Sequence, residues 1–94
     1  GRAMIDTGDR VFHRPSRETW IVAYVRDGRL CACGWPESLV PLADCLLVDK
    51  ATRADRLSLL GSMAAGHGAD SRTRYARDAL DATQAKATQG ARDE

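Results

Sequence analysis

Apolar positions change their spacing near residue 50. Before it they fall in short alternating or continuous runs, the mark of strands. After it they recur every three or four residues, the mark of helices. Residues 9–13 form a first strand, with Val11 and His13 facing opposite to Phe12. Arg14, Pro15, Ser16 and Arg17 make a turn, since proline fixes its backbone and serine bonds locally. Residues 18–26 are the longest strand. Regular alternation puts Trp20, Val22 and Tyr24 on one face, and Ile21, Ala23 and Val25 on the other. Both faces are apolar, as in a strand covered on two sides or bent within a small barrel. Asp27 and Gly28 both tolerate positive φ and predict a hairpin turn, with 29–33 as the returning strand.

Gly34, Trp35 and Pro36 break that strand. Residues 37–43 read either as a helical turn or as an irregular crossing, and Pro41 argues against a regular helix. Residues 45–49 are a further strand. Thr52 followed by Asp55 has the spacing of a capping box, and Leu57, Leu60 and Ala64 continue at helical spacing with Leu59 and Met63 beside them. This predicts a helix over 52–66, ended by Gly66, His67 and Gly68. Asp70 or Ser71 would cap a second helix over 70–88. Its apolar stripe is thin: Tyr75, Ala76, Ala79, Leu80, Ala82 and Ala87. Residues 1–7 read as a flexible polar lead, with Gly1, Arg2 and Ala3 as an expression remnant before a natural start at Met4. Residues 89–94 read as a frayed tail. The expected class is α+β: a small β-barrel or strongly bent antiparallel sheet over 8–49, then a two-helix extension over 50–88.

Composition narrows this. The chain has 94 residues, enough for one compact domain. The net charge is +1, from 14 basic and 13 acidic residues. That balance argues against a module that grips nucleic acid mainly by neutralising phosphates. No stretch has the length of a membrane span, and no apolar signal region precedes residue 10, so a cytoplasmic protein is expected. Three cysteines do not make a fully paired disulfide framework.

Cys31, Cys33 and Cys45 with His13 would make a Cys3His set if the strands converged, the kind zinc prefers. The spacing is poor, because Cys31 and Cys33 are two apart on a strand rather than on a Cys-x-x-Cys turn. Buried cysteines acting as small apolar residues are the simpler expectation. No nucleophile motif, phosphate loop or metalloprotease helix is present. A non-enzymatic protein without a cofactor is therefore expected. Trp20, Tyr24 and Trp35, with Arg10, Arg14, Arg17, Arg26 and Arg29 nearby, are the candidate stacking platform of a nucleic-acid reader. Trp35 differs from the other two. It sits on a bend between glycine and proline, where it either plugs the barrel end or meets a partner. The corner Trp35 and Pro36, with His13 and Arg14, is thus the candidate binding site.

Gly8, Asp9, Arg10 and Val11, followed by a hairpin, are similar to the start of small Src-homology-3-like barrels, including the KOW and Tudor type. That resemblance implies a binding module without naming its ligand. A longer pattern runs through Gly8, Asp9, Val11, His13, Pro15, Ser16, Trp20, Cys33, Gly34, Trp35 and Pro36, then Asp44 and Cys45. It resembles small proteins encoded by bacteriophages and prophages of Gram-negative bacteria, a group with no activity to transfer. The leading expectation is an interaction module that binds a host or phage protein. The alternatives are a nucleic-acid-binding barrel and a zinc- or thiol-dependent protein. A homodimer through the second helix is a further expectation.

Overall fold

A computed structural model of the protein describes residues 4–34, 39–66 and 71–92, with side chains as far as Ala82. The chain forms β1 (Arg10–His13), β2 (Glu18–Arg26), β3 (Arg29–Ala32), β4 (Leu39–Pro41), a 3-10 turn (Leu42–Asp44), β5 (Cys45–Asp49), α1 (Arg53–Ala64) and α2 (Ser71–Arg92). The strands form one antiparallel sheet in the order β4-β3-β2-β1-β5. Strands β1 to β4 are a meander, and β5 returns to pair with β1. The ladders end at β4 and β5, so the α+β expectation is met by its bent-sheet form.

The β2–β3 hairpin forms where the sequence places it. Asp27 and Gly28 have φ of 53° and 74°, and Arg26 faces Arg29 across the turn. Two consecutive positive φ values give a turn whose twist matches that of the strands. Residues 37–43, left open between two readings, resolve from residue 39 onward as a short strand and a 3-10 turn.

One prediction about faces fails. Val22 pairs with Ala32, but Tyr24 pairs with Cys31, so Ala23 is an extra residue and the strand carries a β-bulge. A bulge interrupts alternation. Trp20, Val22 and Val25 therefore stay on the inner face, with Val11, Leu30, Ala32 and Cys45. Tyr24 instead joins Ala23 and Cys31 on the other face, against Met63 and Tyr75 from the helices. The sheet is thus buried on both faces of β2. Leu30, Val11 and Val22 are fully buried, and each contributes about 1.5–3 kcal/mol of transfer free energy.

The helices cover that second face. Thr52 caps α1, its hydroxyl accepting from the Asp55 N–H at 3.0 Å. Leu60 is the residue of α1 that is fully inside. On α2, Thr73 and Ala76 are buried. The Tyr75 ring stacks on Tyr24 with centroids 4.8 Å apart, and the Tyr24 hydroxyl meets Ser71 Oγ at 2.6 Å. The stripe of α2 that the sequence left without a partner packs on its own chain through its first turns. The backbone of α2 stays helical to Arg92, past the expected end at 88. No helix among the described residues is long and apolar enough to cross a membrane.

Residues 4–7 are not a loose lead. Ile5 packs against the inner core, and Thr7 is buried. The cause is Asp9, which has no exposed surface. Its Oδ2 accepts from the Asp6 N–H and from Lys50 Nζ, both at 2.8 Å, and its Oδ1 accepts from the Ala51 N–H at 2.8 Å. Lys50 Nζ also donates to the Met4 carbonyl. The Arg56 guanidinium lies 3.6 Å from both Asp6 and Asp9, and its Nε donates to the Thr7 carbonyl at 3.1 Å. Burial alone would push the Asp9 carboxyl up. The Lys50 bond, the two backbone N–H bonds and the lysine charge together hold it below its ordinary 3.8.

Asp9→Asn should lower unfolding stability by about 2–4 kcal/mol, because Lys50 and the two N–H groups lose a charged acceptor. The linkage sign follows from the depressed folded value. The stabilisation is complete above the unfolded carboxyl pKa and is lost as pH falls through the folded one. Urea unfolding between about pH 6 and about pH 3 should therefore show a smaller acid loss in the variant than in the wild type.

Candidate functional site

His13 and Arg14 sit where β1 ends, beside the start of β5. The register places His13 opposite Cys45. The imidazole lies flat on Trp20, with centroids 4.1 Å apart and planes at 18°, and its Nδ1 is 2.7 Å from Ser16 Oγ. Trp20 reaches this position from β2, where it pairs with Val11. Only 8% of His13 is exposed. Arg14 donates its backbone N–H to the Asp44 carbonyl at 3.0 Å and its guanidinium to the Ala43 carbonyl. It ties β1 to the 3-10 turn. Both residues therefore serve structure: one closes the end of the inner core, the other anchors the turn. Trp35 and Pro36, the other half of the proposed corner, lie outside the described residues.

The cysteines do not converge. Cys31 belongs to the cluster under the helices, and Cys33 packs against that cluster. Cys45 lies in the inner core on the other side of the sheet. The split follows from the pleat, which sends Cys31 and Cys33 the same way, and from β5 reaching the sheet beyond β1. Among the described residues, no three His, Cys, Asp or Glu side chains are grouped to hold a metal. None of the three cysteines is in a disulfide. Burial pushes the Cys33 thiol up, opposed by the Arg72 charge. Burial also pushes Cys45 up, the Asp44 carboxylate adds to it, and Arg14 opposes it. A raised thiol carries little thiolate at neutral pH and is a poor nucleophile.

Cys33 borders a cleft of about 310 Å³ between sheet and helices, with Leu59, Met63, Arg72 and Thr73. Arg72 crosses its edge to the Ala32 carbonyl at 3.4 Å. The cleft mixes apolar walls with a guanidinium bonded to a backbone carbonyl.

The residues that stand out for binding were not singled out in the sequence. Leu46 is 50% exposed and Val48 57% exposed, both on β5. Cys45 points into the inner core, so alternation sends Leu46 to the outer face, and exposed Val48 is the extra residue of a β-bulge. Phe12, half-buried, pairs with Leu46. The helices pack over Ala23, Tyr24 and Cys31 through Met63 and Tyr75. The available signal was the run Cys45, Leu46, Leu47, Val48. A strand at a sheet edge cannot turn four successive apolar residues into one core.

The geometry defines a small α+β protein with an apolar edge strand beside a helix-covered sheet. No family model, no curated protein and no solved structure matches the chain.

The thiols should label in an order set by burial. In timed alkylation of native protein at about pH 8, followed by mass spectrometry, Cys33 should react first. Cys31 and Cys45, both buried, should react only as the chain unfolds. Rapid labelling of Cys45 would show that the end of the inner core is open.

Proposed function

We propose that the protein is a non-enzymatic interaction module that binds protein through the outer face of β5. The carrying observation is that Leu46 and Val48 stand half-exposed on an edge strand beside Phe12. Apolar side chains on an unpaired edge invite another chain, and sheet edges are a recurring mode of protein recognition. The residue pattern from Gly8 to Cys45 supports placing the module among phage or prophage accessory proteins that act in the cytoplasm on a host or phage protein.

What supports protein over nucleic acid is the balanced net charge of +1 and the engagement of four of the twelve arginines. Arg14, Arg56, Arg72 and Arg77 each donate to a backbone carbonyl of the same chain. Guanidinium groups spent in this way do not line a phosphate track.

A photoreactive amino acid at position 48 should yield a covalent protein adduct in host lysate, unchanged by nuclease. The same residue at Arg53, exposed on α1, should not. Absence of a protein adduct at 48, or retardation of a DNA or RNA probe at about 50 mM salt, would overturn the reading.

A further inference from the structure

Arg26 and Arg29 face each other across the β2–β3 turn, and both are exposed. Val25 and Leu30, the pair before them, point into the inner core. The pleat therefore turns both arginines to the outer face, the face of Tyr24, Cys31 and the start of α2. Like charges directly opposite destabilise a strand pair, and an acid at either position would stabilise it. Among the described residues, no carboxylate forms an ion pair with either guanidinium. Neither donates to a backbone carbonyl of the described residues, as Arg14, Arg56, Arg72 and Arg77 do.

The two arginines line a groove of about 420 Å³ with Tyr24, Asp27 and Leu39. An adjoining hollow adds Ser71 to Tyr24, Arg29 and Leu39. The volume is within the range of small-ligand sites. Its walls are held by contacts within the chain. Tyr24 is buried, and its hydroxyl meets Ser71 Oγ at 2.6 Å. The Arg26 guanidinium lies 5.9 Å from the centre of the Tyr75 ring, within cation–π range, which orients it. Leu39, an exposed aliphatic side chain, gives the groove an apolar side.

From this opposed pair and the groove beside it, we infer that the hairpin end of the sheet binds a phosphate monoester between Arg26 and Arg29. A guanidinium is a planar fork that bonds an oxyanion through two parallel N–H groups. A carboxylate offers one edge of two oxygens, which a single fork fills. A phosphate monoester offers three oxygens and a charge of about −1.5 to −2 at neutral pH. Both forks then engage it, and the repulsion between them is offset. Asp27, on the turn between the arginines, lines the same groove and opposes the anion. It penalises every anion, so one that engages a single fork gains little.

This site is separate from the outer face of β5, which lies on the far side of β1 from β2 and β3. One opposed pair at the end of a hairpin is a point site, unlike the track of cations that a nucleic-acid backbone engages. The ester comes either from a small phosphorylated molecule or from a phosphorylated side chain of a protein. Both present the same group to the two forks.

Titrations at constant ionic strength, followed through backbone amide and arginine Nε–H nuclear magnetic resonance signals, test the site. Phenyl phosphate stands for the small molecule and a short phosphoserine peptide for the modified side chain. At least one should give saturable shifts centred on Arg26 and Arg29, and the tighter of the two identifies the source. Acetate and dimethyl phosphate, each with a single charge, should bind at least about tenfold more weakly. Arg29→Gln should weaken the ester at least about tenfold. It should not lower the urea midpoint, because it removes a like-charge contact. Asp27→Asn, at a position of positive φ that asparagine tolerates, should tighten the ester. The site would be overturned by shifts that do not saturate, or by acetate binding as well as the esters. It would equally be overturned by an Arg29→Gln variant that binds like the wild type or unfolds at lower urea, or by an Asp27→Asn variant that binds no tighter. None of these outcomes bears on the β5 surface.

Discussion

The buried carboxylate of Asp9 is the constraint on which the arrangement of sheet and helices depends. An ionised group without exposed surface is stable only with donors on every side. Here the donors come from distant parts of the chain: Asp6 before β1, Lys50 and Ala51 after β5, and Arg56 on α1 close by. None of these segments satisfies the carboxylate alone, so the β1–β5 pairing, the N-terminal turn and the start of α1 are assembled together. Gly8 makes the approach feasible. Its φ of +89° disfavours other residues, and a Cβ there would lie 3.1 Å from the Ala51 side chain.

That clamp also decides which part of the sheet is covered. It fixes the beginning of α1 beside the end of β5, while Tyr24, Tyr75 and Ser71 fix the beginning of α2 over β2. The helix pair lies over the β2–β3 part of the outer face, where the bulge at Ala23 has turned Tyr24 toward it. Leu46 and Val48, on β5, are exposed, and Phe12 beside Leu46 is half-buried. The exposure of Leu46 and Val48 thus goes with where the helices are tied.

Features set by neighbours in sequence were legible from the sequence. The Asp27–Gly28 turn and the Thr52 cap depend on the residues beside them and occur where their chemistry predicts. Features set by distant partners were not. Nothing local distinguishes Asp9 from a solvated acid at the start of a strand, because its donors lie mostly about forty residues away. The orientation of Tyr24 was misread because alternation holds only without a bulge, and the bulge depends on how β3 pairs. Of the candidate corner, His13 pairs with Cys45 and the Arg14 N–H bonds Asp44 at the start of β5. Their roles there are stacking and anchoring. The cysteines were read correctly as small apolar residues for Cys31 and Cys45, which are buried in opposite layers.

The functional choice turns on which groups remain uncommitted. Catalysis needs a nucleophile or base with lone pairs to spare and a position for substrate. The described thiols are raised or enclosed, the His13 Nδ1 is engaged by Ser16, and several guanidinium groups hold carbonyls of their own chain. Among the described residues, Leu46, Val48 and the outer edge of β5 are exposed apolar surface. A monomer has good reason to blunt such an edge, and this chain does so at β4 with Pro41. The same sheet keeps five residues of open strand at β5 with two half-exposed aliphatic side chains. The proposed module reading starts from this surface: an open strand edge carrying exposed aliphatic side chains is suited to association.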